Sequence, residues 1–224
     1  MRIKKLPYTL HLASYISQLG FTLIELLISI GIFLVMTGLV VANFRTGQRS
    51  DVLRQEALNL DSVLKQAQTK ALTGETSKIC EEGGNRGKIC TSDDECPGSA
   101  CEDLVPKGGY GVYMEKCLTP PCSFVLFADT TKAGEDEPDG LYNENWEEVS
   151  GGTFTLDSKV IISDIQLDTQ SFSEVSITFV PPKPKVYING GTDESEVVVT
   201  LKHTELNKEK KIKINRISGQ ITCE

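Results

Sequence analysis

The sequence predicts an α+β fold: a long N-terminal helix followed by a β-rich domain. Three observations predict it. Residues 26–42 form an uncharged, mostly apolar run of seventeen. No proline interrupts the chain between Pro7 and Pro97. From Gly108 onward the apolar residues alternate, so the hydrophobic period shifts from that of a helix to that of strands. The chain has 224 residues. Setting aside the N-terminal segment and the helix leaves roughly 150 residues, enough for one domain.

Residues 1–20 carry Arg2, Lys4 and Lys5 ahead of the apolar run, which places this end on the cytoplasmic side by the positive-inside rule. The flank after the run also carries Arg45, Arg49 and Arg54, diluted by Asp51 and Glu56, so charge alone does not set orientation. The apolar run has the length of a membrane span, about 20 residues as a helix. Glu25 is the single charge between Phe21 and Ala42. An unpaired carboxylate in lipid costs roughly 2.5–3.5 kcal/mol, so an ionisable group there points to function. A plain signal anchor with Glu25 at its edge explains the apolar run. It does not explain glycine directly before Phe21 and glutamate five positions after that glycine. A cleaved secretory signal has a shorter apolar region, about 7–15 residues.

The helix is expected to continue to residue 73. Leu53, Ala57, Leu60, Leu64, Ala67 and Ala71 recur at helical steps and make one apolar stripe, with Arg54, Glu56, Asp61, Lys65 and Gln68 on the other face. Gly74 is placed to end the helix. At 1.5 Å per residue such a helix is roughly 80 Å long. Gly31 and Gly38 lie seven apart on one face, either as a close-packing surface or as ordinary lipid-facing glycines.

Residues 75–107 change composition to glycine, charge and four cysteines, Cys80, Cys90, Cys96 and Cys101. None is spaced C-x-x-C, which argues against zinc. The stretch reads as a disulfide-stapled surface insertion without an apolar core. Its four cysteines allow three pairings. Asp93, Asp94 and Glu95 lack the spacing of a calcium loop and read as a solvated turn. Residues 109–114, 123–128, 152–156, 159–167, 174–180, 196–202, 211–217 and 220–223 are short, β-branched and alternating, and turn clusters separate them. Cys117 and Cys122 flank Pro120-Pro121 and are candidates to close a small loop, which leaves Cys223 either free or paired with the insertion. Seven cysteines, all beyond residue 79, indicate an oxidising compartment.

Residues 129–147 are rich in oxygen ligands, including Asp129, Asp136 and Asp139. A solvated acidic loop is the plainer reading. A hard cation such as calcium is the alternative, and no other metal or cofactor is expected. Lys208, Lys210, Lys211, Lys213 and Arg216 form the one basic cluster, read as the solvated face of an exposed strand, with DNA phosphates as the alternative partner. Net charge is −8, which disfavours nucleic acid as a bulk partner. No phosphate loop, nucleophile elbow or zinc-protease motif is present, and an enzyme is not expected.

Gly20, then Phe21-Thr22-Leu23-Ile24-Glu25, then a long apolar helix, resembles the N-terminal cleavage and methylation signature of type IV pilins and of the pseudopilins of type II secretion. The resemblance implies cleavage after Gly20 by a prepilin peptidase, methylation of the new amine on Phe21, and pairing of Glu25 with the Phe21 amine of a neighbouring subunit. It implies a leader over 1–20, a membrane-spanning half-helix over 21–44, an amphipathic half over 45–74, the insertion over 75–107 and a β domain over 108–224 outside the cytoplasmic membrane. A weaker resemblance over 108–223, carried by Tyr110-Gly111-Val112-Tyr113, residues 124–129 and residues 215–221, is to minor pilins and pseudopilins, whose β domains are largely antiparallel. Their partners are other pilin subunits, the peptidase and the membrane. The function expected is a structural subunit of a pilus or secretion filament. The alternative is a minor pilin that captures DNA or a surface.

Overall fold

The helical stripe and the strand alternation each demand a facing surface, and the fold supplies one for both. The structure is a computed structural model that describes residues 22–131, 137–144, 146–181 and 185–224, the side chains of 42–50 excepted. Helix α1 spans Leu23–Thr73. It ends in a paired C-terminal cap. Glu75 N–H reaches the Lys70 carbonyl at 3.0 Å and Gly74 N–H reaches that of Ala71 at 3.4 Å. Gly74 lies at φ +63°, a conformation that suits a residue without Cβ.

The chain forms two units, residues 1–45 and residues 46–224. In the first, the helical stretch Leu23–Val41 is long and apolar enough to cross a membrane, and none of it is buried. In the second, Leu53, Ala57, Leu60, Val63, Leu64, Ala67 and Ala71 are each at most 3 % exposed and belong to one core with both large sheets.

Among the described residues, twelve strands follow α1: β1 (Ser77–Cys80), β2 (Cys101–Leu104), β3 (Gly109–Glu115), β4 (Ser123–Asp129), β5 (Glu148–Thr155), β6 (Val160–Leu167), β7 (Gln170–Phe172), β8 (Glu174–Val180), β9 (Lys185–Ile188), β10 (Glu196–His203), β11 (Glu209–Asn215) and β12 (Ile221–Cys223). They make a ribbon β1-β2, a sheet ordered β5-β4-β3-β8-β9 and a sheet ordered β12-β11-β10-β6-β7. Every pairing between these strands is antiparallel. The fold is therefore α+β, with an N-terminal apolar helix and a C-terminal domain of antiparallel sheets.

Register explains the core. On the inner face of the first sheet, Ala128, Tyr110 and Phe179 stand side by side, then Leu126, Val112 and Ile177, then Phe124, Met114 and Val175. All nine are buried. In the second sheet Val199 stands between Ile212 and Ile165, and all three are fully buried. Each such aliphatic side chain contributes about 1.5–3 kcal/mol by leaving water. The two sheets are joined where Cys117 N–H reaches the Ile162 carbonyl at 3.0 Å. The helix end is tied down by Tyr110, whose hydroxyl donates to the Glu75 carbonyl at 2.9 Å and contacts Ser77 Oγ at 2.8 Å.

The structure corrects the expected elements in three places. The insertion has a small core after all: Ile79 is buried, and Cys80, Cys90 and Cys96 form a cluster against Cys101. Sulfur supplies the burial that aliphatic residues do not. Strand β5 runs through Gly151-Gly152, where a turn is expected, because its register against β4 shifts between Val125 and Phe127 and Gly151 absorbs the shift at φ +72°. Strand β11 ends at Asn215, so Ile217 sits in the following turn, 77 % exposed.

The disulfides are Cys80–Cys96, Cys90–Cys101 and Cys117–Cys122, and Cys223 is free and half-buried. Alkylating the folded chain without reductant should therefore label one thiol, Cys223, and reduction should expose six more. Mass spectrometry counts the adducts. Labelling of two or more before reduction would contradict the three bridges.

Candidate functional site

The chemistry begins at the first turn of α1. Thr22 precedes the helix, and its Oγ1 accepts the Glu25 N–H at 3.3 Å. Thr22-Leu23-Ile24-Glu25 thus has the spacing of a capping box, and Thr22 satisfies one of the helix's orphan donors. Glu25 sits in the first turn, where the helix dipole favours a negative charge. It is exposed and has no ion-pair partner among the described residues. Gly20 and Phe21 lie outside the described residues. The two hydroxyls farther along bond back to the helix. Ser29 Oγ donates to the Glu25 carbonyl at 2.8 Å and Thr37 Oγ1 to that of Phe33 at 2.7 Å. Both hydroxyls between Ser29 and Val41 thus have a backbone acceptor, the arrangement an apolar surrounding requires.

Leu23, Ile24, Leu26, Leu27, Phe33, Leu34 and Leu39 are all more than half exposed. An apolar surface on every side of a helix calls for lipid or other helices as its surroundings.

The acidic loop folds onto the end of β4. Carboxylate oxygens of Asp129, Asp139 and Glu147 lie within 4.8 Å of one another, and Asp129 and Glu147 are buried. Asp129 Oδ2 accepts the Gly140 N–H at 3.0 Å, and Asp139 Oδ1 accepts that of Leu141 at 2.9 Å. Glu147 accepts the Thr130 N–H at 3.2 Å and the Asn143 N–H at 3.0 Å. Three oxygens at this spacing are the ligand type that a hard cation takes. The structure brings together Asp129 and Asp139 of the sequence candidates, while Asp136 lies outside the described residues. Glu147 is the member that sequence reasoning missed, because a Trp-Glu-Glu run carries no sign of which glutamate turns inward. Burial pushes its carboxyl up to about 7.

The basic cluster is spread along the second sheet. Lys213 pairs with Glu224 at 2.9 Å, and Arg216 Nε donates to the Glu194 carbonyl at 2.6 Å. Lys211 is exposed and Lys210 half-buried. In the insertion, Asp93 Oδ1 accepts the Cys101 N–H at 2.8 Å, and Glu95 accepts the hydroxyl of Thr91. His203 is fully buried, and its Nδ1 accepts the Glu205 N–H at 3.1 Å.

Residues 16–41 match the family model described as the prokaryotic N-terminal methylation motif, the signature of type IV pilins and pseudopilins. The match ends where the span ends, and residues 42–224 lie beyond it. No curated protein and no solved structure matches the chain.

Glu147 generates a pH prediction. Its carboxyl holds a proton to about pH 7 in the folded chain, against 4.5 for an ordinary glutamate. The folded state binds the proton more tightly, so this group's stabilising effect is complete below about pH 4.5 and is lost as pH rises through about 7. The loss is on the order of 3 kcal/mol. Urea unfolding of the full chain in chelator, from pH 4.5 to 8, should show the decline. Glu147→Gln should flatten it, and an unchanged slope in that variant would refute the assignment.

Proposed function

We propose that this chain is a minor pilin or pseudopilin, a structural subunit cut by a prepilin peptidase between Gly20 and Phe21 and methylated on Phe21. It is held in the cytoplasmic membrane by residues 21–44, with the β domain outside, and is then built into the filament of a type IV pilus or a type II secretion apparatus. The observation that carries this reading is the methylation motif over residues 16–41, which leads into a helix capped by Thr22 and apolar on every side.

Glu25 supplies the physical logic. A single subunit offers the carboxylate no ion-pair partner among the described residues, and an apolar surrounding penalises leaving it alone. The amine of Phe21 on an adjacent subunit removes that penalty. One charge pair per subunit then fixes the axial register of helices that otherwise slide on uniform apolar surfaces. The three disulfides support the same placement, since bridges persist in oxidising compartments.

The test follows cleavage, membrane level and filament incorporation in the native host. N-terminal mass spectrometry of the membrane-extracted chain should find Phe21 first, carrying one methyl group. Glu25→Ala removes a charge from the span, so membrane level should hold or rise. Incorporation into sheared filaments should fall about tenfold or more, the scale of one lost buried charge pair. Glu25→Gln, which keeps the side-chain length, should fall alike. An intact Met1 terminus, or full incorporation of both variants, would overturn the reading.

A further inference from the structure

A cavity of about 270 Å³ lies between the β1-β2 ribbon of the insertion and the segment that follows β4. Its apolar wall is Leu104, Val105 and Pro106. Val105 is 48 % exposed, a branched aliphatic side chain left to water beside the opening. Arg86 and Lys107 line the same cavity. Both are exposed, and neither has an ion-pair partner among the described residues. On a chain of net charge −8, two unpaired cations at one apolar hollow stand against the general field.

The independent observation is Thr131. It lines the cavity, is only 7 % exposed, and its Oγ1 is buried without a hydrogen-bond partner among the described residues. Buried hydroxyls are nearly always satisfied, and one that is not calls for an explanation. The adjacent Thr130 shows the ordinary case, with its Oγ1 donating to the Gly87 carbonyl at 2.5 Å. The wall is fixed in place as well. A Cβ built on Gly87 would stand 2.3 Å from the Thr131 carbonyl oxygen, so the insertion and the β4 end meet backbone to backbone there.

We propose that this cavity binds a small aliphatic monocarboxylate, such as a peptide C-terminus ending in a branched residue or a free short-chain acid. The aliphatic part lies on Leu104, Val105 and Pro106. The carboxylate takes Arg86, Lys107 and the Thr131 hydroxyl. Glu81, also in the wall, sets the charge of the ligand, because it opposes a second negative charge and so disfavours a phosphate dianion. A cavity of this size, below the usual range for drug-sized ligands, holds one residue rather than an extended peptide. The disulfides Cys80–Cys96 and Cys90–Cys101 hold the ribbon that forms one side, so the site depends on the oxidised insertion.

The experiment is a saturation-transfer NMR titration of the full chain in detergent, its thiol count confirming intact bridges. The probes are N-acetyl-leucine, its neutral amide and hexanoate. N-acetyl-leucine should bind saturably and about tenfold more tightly than the amide, the worth of one charge-assisted contact. Arg86→Gln and Lys107→Gln, at exposed positions that tolerate change, should each weaken it several-fold, and the double variant should abolish saturation. Thr131→Val, which keeps the shape and removes the hydroxyl, should weaken it too. Hexanoate binding equally well identifies the free acid as a sufficient ligand, and preference for N-acetyl-leucine identifies the peptide end. Equal binding of acid and amide, no saturable binding by the oxidised chain, or undiminished binding by the double variant would each overturn the proposal.

Discussion

One stripe of seven small and aliphatic side chains on α1, from Leu53 to Ala71, sets the arrangement of residues 46–224. It is at most 3 % exposed and shares a single core with both five-stranded sheets. The alternation of each strand then has only one acceptable phase. A one-residue slip of β8 against β3 would turn Val175, Ile177 and Phe179 to water. Four alanine or leucine positions on the stripe, Ala57, Leu60, Leu64 and Ala67, are fully buried, and the alanines let the helix backbone approach the sheets closely. The cap at Gly74 and the Tyr110 hydrogen bond to the Glu75 carbonyl follow from the same contact, because the chain must leave the helix where the sheet begins.

The same helix carries a second hydrophobic pattern with opposite logic. From Leu23 to Val41 the apolar residues cover every side and none is buried. Stripe and full coverage are two answers to two solvents. A stripe suits a helix with one wet face, and full coverage suits a helix with none. The polar atoms between Ser29 and Val41 obey the second rule, since Ser29 and Thr37 both return their hydroxyls to backbone carbonyls. Glu25 alone does not, which is why it carries the functional reading.

Periodicity made most of this legible in the sequence. The helix, its end at Gly74 and the long strands could be read directly because each buries one continuous face. The missed elements are those whose order comes from elsewhere. Strands β1 and β2 are Ser-Lys-Ile-Cys and Cys-Glu-Asp-Leu, too polar to alternate, and they pair because disulfides hold their ends. Strand β7 has three residues and exists as the partner of β6. Thr22 was in plain view as the first residue of a Thr-x-x-Glu capping box, a local signal outweighed by the charge anomaly three positions on. Glu147 and Thr131 had no signal at all. Their burial is decided by where the loop after β4 closes, a tertiary event that no window of sequence reports.

Glu25, Glu147 and Thr131 share a property. Glu25 is a carboxylate in an apolar run, Glu147 a carboxylate held in a buried position, and Thr131 a buried hydroxyl without a partner among the described residues. Each departs from the pattern of the sheet core, where apolar faces meet apolar faces; the buried His203 Nε2 and Asp61 Oδ1 depart from it too, with no hydrogen-bond partner among the described residues. Such departures lower stability, and a chain retains them where something outside the isolated subunit relieves them. For Glu25 the proposed relief is a cation from another helix. For Thr131 the proposed relief is an acceptor atom that arrives with a ligand. For Glu147 it is a proton at low pH, with the loop's own N–H groups carrying part of the load at high pH.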